Sequence, residues 1–468
     1  MDKKQGYIPQ DQRKKILMMC DDIRMFSGVS LMAREIITGT SHQFNWVNIG
    51  GAINHPEHGK LLDISLATNK NAGIDDSSVL IYPISGYGTP ELLRHVIESQ
   101  KPDAIMIFTD PRYWIWLFGM EHEIRKNIPL IYLNIWDNEP IPMYNKPYYE
   151  SCDALFAISK LTEKINKEVL GEELCEEKVI KYIPHGINED KFYPIIKEDE
   201  YFQIFKDELF KGKEYDFKLL YNARNLRRKS VPDLIHAWIQ FVDNSTKYND
   251  NKKSAFVLHT QILDENGTDL QAVVDLLTKG DPKYNIIFHE DKLSPEGMNY
   301  LYNSCDFTIL TSSNEGWGLS LTESMMCGKP IIANATGGMI DQMNLEHSGG
   351  GYDTQRYNLS SLHTHTKSGN WALPVFPSNR SIIGSPQTPY IYDDRASSND
   401  IAYRIEHAFN MVNIWPIKYE ASCKAAREWV TSKESMMSSK HMCQNIFKGI
   451  HETLAKFTPR HDYELIEL

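Results

Sequence analysis

Short apolar runs alternate with amphipathic stretches along most of the chain, the rhythm of strands and helices in a parallel, doubly wound sheet. Lys15-Ile-Leu-Met-Met-Cys20 predicts the first strand and Gly28-Val-Ser-Leu-Met-Ala-Arg-Glu-Ile-Ile37 the first helix. Further strands are predicted at Val79-Leu-Ile-Tyr, Ala104-Ile-Met-Ile-Phe, Leu130-Ile-Tyr-Leu, Ala154-Leu-Phe-Ala and Ile180-Lys-Tyr-Ile. A charged, helix-prone connector follows Pro194. A second series then opens at Lys218-Leu-Leu-Tyr-Asn and runs through Ala255-Phe-Val-Leu-His, Asn285-Ile-Ile-Phe and Phe307-Thr-Ile-Leu. The pattern predicts an α/β protein of two similar domains, residues 1–195 and 217–435, joined by a linker at 196–216 and followed by a helical segment at 436–468. Residues 344–400, with Ser348-Gly-Gly-Gly-Tyr and Asn379-Arg-Ser-Ile-Ile-Gly-Ser-Pro-Gln-Thr-Pro, are rich in Gly, Ser, Asn and Pro and predict an elaborated loop.

Bulk properties narrow the class. A chain of 468 residues with 41% hydrophobic content can fill two domain cores. No apolar stretch reaches the roughly 18 to 20 residues of a membrane helix, which predicts no integral membrane association. The opening Met1-Asp-Lys-Lys-Gln-Gly-Tyr lacks an apolar signal core, so a cytoplasmic location is expected. Seven scattered cysteines read as reduced thiols rather than as a disulfide framework or zinc site. A formal net charge of −12 argues against a protein that coats nucleic acid or an anionic membrane, while leaving room for a local basic groove.

The richest chemistry lies in Thr311-Ser-Ser-Asn-Glu-Gly-Trp-Gly-Leu-Ser-Leu-Thr-Glu-Ser-Met-Met-Cys-Gly-Lys-Pro. A buried strand is predicted before it and a helix from Leu319 to Cys327. Gly316 and Gly318 let a ligand approach the backbone, and Gly316, Trp317 and Gly318 offer N–H groups at a helix start that favours anions. Trp317 and Leu319 also shape the turn by packing. Glu315 on the turn and Glu323 about two helical turns on could accept sugar hydroxyls at either end of a diphosphate. That spacing fits a nucleotide sugar. Arg224, Arg228 and Lys229, in Tyr221-Asn-Ala-Arg-Asn-Leu-Arg-Arg-Lys-Ser230, follow a strand end and suit the charge that grows on a departing diphosphate.

These segments resemble the signature of retaining glycosyltransferases of the GT-B fold, the nucleotide-sugar dependent group 1 family. Pro184-His-Gly-Ile-Asn with Phe192-Tyr-Pro, Ala157-Ile-Ser159, and Pro330-Ile-Ile-Ala-Asn-Ala-Thr-Gly-Gly338 match further elements of that family in its order. The resemblance covers about residues 155–340. It implies two Rossmann-like domains facing each other across a cleft, with a last helix returning to the first domain and the 344–400 loop near the donor. The donor would be a UDP- or GDP-linked sugar, with no metal and no bound cofactor, and the acceptor hydroxyl would belong to a glycan, a lipid-linked sugar or a small molecule. Glu323 would hold the ribose, and Glu315 would contact the transferred sugar. Ala223 and Ser230 stand where the family has glycines, which puts the shape of the phosphate loop in question.

In the first domain the family's histidine after the Leu130 strand is missing. Asp137 is the best polar substitute, with Asn138 and Glu139 as competitors, and a purely structural role fits all three equally. Ser27 and Gly28, beside Asp21 and Asp22, lie on the first strand-to-helix turn, where ligands collect in such folds. Asp110 and Arg112 fit a cleft or a salt-bridged turn, and His185 a structural turn. Three rival functions share the plan: a nucleotide-sugar 2-epimerase, an inactive sugar-binding protein, and a phage-type enzyme that glycosylates hydroxymethylated bases in DNA. The oligomeric state is open.

Overall fold

The structure, a computed structural model, describes residues 6–245, 252–347 and 366–460. The chain divides into two compact units, residues 1–186 with 439–468, and residues 187–438.

The first unit is built on strands β1 (Lys14–Asp21), β2 (Phe44–Gly51), β3 (Leu62–Asp63), β4 (Val79–Pro83), β5 (Ala104–Phe108), β6 (Leu130–Asn134), β7 (Ala154–Ala157) and β8 (Val179–Tyr182). They lie in the order β3-β4-β2-β1-β5-β6-β7-β8. Every pair is parallel except β3 with β4. Near-continuous apolar strands such as Ile16 to Met19 and Ile105 to Phe108 are fully buried, as a parallel sheet covered on both faces demands. β2 escapes the sequence pattern because Asn45, Asn48 and two glycines interrupt its apolar positions. Asn48 is nevertheless buried, and its amide donates to the carbonyl of Met18 at 3.1 Å. The helix Ser439–Lys456 packs in this unit on the helix Gly28–Thr40. At the crossing, a Cβ on Gly39 would collide with Cys443 Sγ, so a larger residue there would force that thiol to turn away.

The second unit holds β9 (Phe217–Asn222), β10 (Ser254–His259), β11 (Ile286–His289), β12 (Phe307–Leu310), β13 (Ile331–Asn334), the short pair β14 (Glu346–His347) and β15 (Thr366–Lys367), β16 (Ala372–Val375), and the hairpin β17 (Asn379–Ser385) and β18 (Thr388–Arg395). The main sheet runs β11-β10-β9-β12-β13-β16, all parallel, the Rossmann order. Two expectations change here. Residues 196–216 contain the helix Glu200–Phe210, which packs on the helix Pro295–Ser304 and belongs to this unit rather than to a linker. Residues 366–395 form a sheet strand and an antiparallel hairpin instead of a loop, because β17 and β18 pair from Asn379–Arg395 to Ser385–Thr388 across the turn. The Ser348-Gly-Gly-Gly-Tyr segment lies outside the described residues.

Candidate active site

The apolar run Phe307–Leu310 forms β12, and after the turn at 311–318 the helix Leu319–Met326 begins with Gly318 as its N-cap. The turn between them is closed from a distance. The Gly338 N–H donates to Glu315 O at 2.9 Å, and a Cβ on Gly338 would strike the carbonyl of Gly316, so this glycine is required by the close approach. Among the described residues, the N–H groups of Gly316, Trp317, Leu319 and Ser320 have no protein acceptor. The Gly318 N–H differs from the expectation that it would face a ligand: it donates to Gln342 Oε1 at 3.2 Å, while Gln342 Nε2 donates back to Gly318 O and to Thr322 Oγ1, both at 2.7 Å. Trp317 is buried, and its indole N–H donates to Thr322 Oγ1 at 3.1 Å.

Glu315 is buried in a knot of charge. Lys229 Nζ donates to its carboxylate, Arg228 Nη1 reaches the same oxygen at 3.2 Å, and Ser312 Oγ donates to it at 3.1 Å. Burial pushes the Glu315 carboxyl up, but the Arg228 and Lys229 cations outweigh it and hold the group below the usual carboxylate range. Arg228 also donates to the carbonyl of Asn314 at 2.6 Å. Both cations come from the short turn Arg227–Lys229 between β9 and the helix Val231–Ser245. Nearby in sequence, the Tyr221 hydroxyl, Ser230 Oγ and Thr311 Oγ1 are buried polar atoms without a partner among the described residues.

Arg224 is not brought into this knot. Its side chain is 57% exposed and pairs with Asp264, Nε to Oδ2 at 2.7 Å. Glu323 also stands apart from the cations. It is half-buried, it accepts the Tyr302 hydroxyl at 2.5 Å, and that hydroxyl accepts from Asn222 Nδ2 at 2.6 Å. Burial pushes Glu323 up to about 7, against the lowering effect of the Tyr302 bond. Tyr302 and Gln342 carry no motif of their own, and Asn222, although inside the Tyr221–Ser230 segment, is not singled out there.

In the first unit, Ser27 caps the helix Gly28–Thr40 by accepting from the Ser30 N–H at 3.1 Å, and its hydroxyl donates to Asp21. Gly28 is exposed at the start of that helix. Asp137 lies half-buried in the loop after β6. Its neighbours have structural partners: Glu139 is buried against Lys164 at 2.9 Å, and the Asn138 carbonyl accepts the Trp136 indole N–H at 2.7 Å. Asp110 and Arg112 form a local ion pair at a turn. Burial alone pushes His185 down to about 3, so this imidazole stays neutral against the ring of Phe108. All seven cysteines are free thiols.

Two Rossmann-like sheets, parallel apart from the β3–β4 pair, fit the GT-B fold, and the solved structures agree. A glycosyltransferase from Rickettsia africae superposes with a TM-score of 0.64 at 14% identity, over 95% of this chain and 99% of that one. HepE from Anabaena, in complex with UDP and glucose, gives 0.61 at 15% identity, over 94% and 100%. Residues 201–357, in the second unit, match the family described as glycosyl transferases group 1. A curated relative from Campylobacter jejuni, N,N'-diacetylbacillosaminyl-diphospho-undecaprenol alpha-1,3-N-acetylgalactosaminyltransferase, is 31% identical over 179 residues. That alignment spans 38% of this chain and 41% of the relative, less than half the length of either. Among the described residues, no helix is long and apolar enough to cross a membrane.

Proposed function

We propose that the protein transfers a sugar from a nucleoside diphosphate donor to an acceptor hydroxyl, with retention of anomeric configuration. The observation that carries this reading is the Arg228–Lys229–Glu315 cluster set at the start of the Leu319 helix. Two cations held by a buried carboxylate need no reorganisation to meet a diphosphate whose charge grows as the glycosidic bond breaks. The unpartnered N–H groups of the turn add to that anion site. Glu323 takes the ribose hydroxyls, and the departing phosphate receives the acceptor proton, so no enzyme nucleophile is required. Because HepE is recorded with UDP, a UDP-linked sugar is the first donor to try.

In the first unit, Asp137 is the group we assign to the transferred sugar or the incoming hydroxyl. Asp137→Asn should depress turnover and leave nucleotide affinity nearly unchanged, the pattern of an interaction made mainly in the transition state. An unchanged kcat removes the assignment.

A donor-by-acceptor screen tests the function, with UDP- and GDP-sugars against glycans, lipid-linked sugars and hydroxymethylated duplex DNA. Titration calorimetry with UDP and GDP accompanies it. Binding of neither nucleotide overturns the reading. Conversion of the donor sugar with no acceptor present would make the protein an epimerase, and an inverted product anomer would overturn retention.

A further inference from the structure

The hairpin of β17 and β18 rises from the second unit between β16 and the helix Ser398–Asn413, and its base is buried against the turn that carries Glu315. Asp394 is fully buried there. Its carboxylate accepts from Arg380 Nε at 2.6 Å and from Thr336 Oγ1 at 2.8 Å. Thr336 stands two residues before Gly338, whose N–H holds the Glu315 carbonyl at 2.9 Å. The backbone of Asp394 grips the turn as well: its N–H donates to Ser313 O at 3.1 Å, and its carbonyl accepts from Asn334 Nδ2 at 2.7 Å.

The same Asn334 amide donates to Ser312 O at 3.0 Å, and Asn314 Nδ2 donates to the carbonyl of Tyr392. From the opposite side, the Ser313 N–H donates to Arg228 O at 2.7 Å. Each of the three residues before Glu315 is therefore tied to β18 or to Asn334, and Ser313 joins the hairpin to the basic turn. A buried carboxylate that accepts from a guanidinium and a hydroxyl fixes geometry, because moving either partner would leave a charge unsatisfied.

We infer that the 379–395 hairpin is a clamp on the donor turn and that Asp394 is its positioning residue, setting Glu315 and, through Ser313, the Arg228–Lys229 turn. The inference rests on the donor-site reading above. The hairpin turn, where Pro386 and Gln387 are exposed beyond the Ser385–Thr388 pair, stands outside the bonded base and supplies a control.

Hydrogen–deuterium exchange on the full chain reads the clamp without requiring activity. Asp394→Asn keeps the shape and removes the charge, and should speed amide exchange across residues 312–318 by about tenfold or more through local opening. Exchange in the first-unit helix Gly28–Thr40 should stay unchanged. In the same variant kcat should fall severalfold or more while nucleoside diphosphate affinity is nearly kept, because Glu323 hangs on the separate Tyr302 network. A merely structural role would lower the melting temperature without that split between kcat and affinity. Arg380→Lys, which keeps a cation for Asp394 but gives up the two-pronged grip of the guanidinium, should show the same pattern at smaller amplitude, and Gln387→Ala should change neither readout. If Asp394→Asn does not fold, Thr336→Val removes one bond of the same network and should show the same pattern at smaller amplitude. Unchanged exchange at 312–318 in the folded variant overturns the clamp. Faster exchange in a protein that binds neither UDP nor GDP upholds the clamp and overturns the donor reading instead.

Discussion

Glu315 and Glu323 stand on one turn and the helix it feeds, yet their surroundings push them in opposite directions. Glu315 is the more deeply buried, but two cations face it and its carboxyl is held low. Glu323 meets only a tyrosine hydroxyl, and burial raises it to about 7. Burial alone therefore does not decide ionisation: the paired charge decides it at Glu315, and at Glu323 burial prevails over the single hydroxyl of Tyr302. One carboxylate is a permanent anchor for cations, and the other can change charge near neutral pH.

The largest effect should follow from breaking the anchored site. Lys229→Ala should lower turnover by about a hundredfold or more, the range of a lost oxyanion-type donor. Steady-state kinetics at saturating donor would show it, and a normal kcat would reduce Lys229 to a counter-charge for Glu315. Next, Glu323→Ala should raise the dissociation constant for the free nucleoside diphosphate about tenfold or more, since a hydrogen bond to a charged group is worth about 1.5–3 kcal/mol. Calorimetry on the folded variant with unchanged affinity would sink the ribose assignment.

The difference between the carboxylates also predicts a pH dependence. Because folding raises the Glu323 pKa, its contribution to stability is fully present below the ordinary carboxylate value and is lost as pH rises through about 7. Glu315 has the reverse sign, and its contribution is lost as pH falls. On the ribose assignment proposed above, the ionised form of Glu323 is the stronger acceptor, so nucleotide affinity should rise with pH up to about 7 and fall by up to about tenfold per unit well below it. Glu323→Gln should flatten that profile, and a wild-type profile flat between pH 5.5 and 8 would remove the distinction. The smallest effect is expected at Arg224, which is largely exposed and paired with Asp264. Arg224→Ala should cost turnover only a fewfold, as its surface pair is worth about 0–1 kcal/mol. A loss as large as that of Lys229→Ala would mean that Arg224 leaves Asp264 to join the donor.

The sheets were legible where apolar runs are continuous: β1, β5, β6, β9, β10 and β12 fall within a residue or two of the pattern. β2 was not, because a buried Asn48 satisfied by a neighbouring strand reads as a polar interruption. The β17–β18 hairpin was hidden by Pro386, Pro389 and Gly384, which look like loop punctuation when its pairing partner is unseen. At the site, residue chemistry was legible and partnership was not. Arg224, Arg228 and Lys229 look alike in a string, but only packing shows that two of them meet Glu315 while the third meets Asp264. Gln342 satisfies Gly318 across 24 residues, a distance no local pattern reports.

One feature of the second unit bears on how such a chain can be cut and rejoined. Ile187 and Ser438, its first and last residues, form a parallel bridge, and the Ile187 N–H donates to Met437 O at 2.9 Å. Topologically, the unit is a single insertion whose ends meet, so its removal leaves the first unit one short gap to close between Gly186 and Ser439. The second unit is thus exchangeable as one cassette, by the same logic that lets domains with adjacent termini be inserted or permuted.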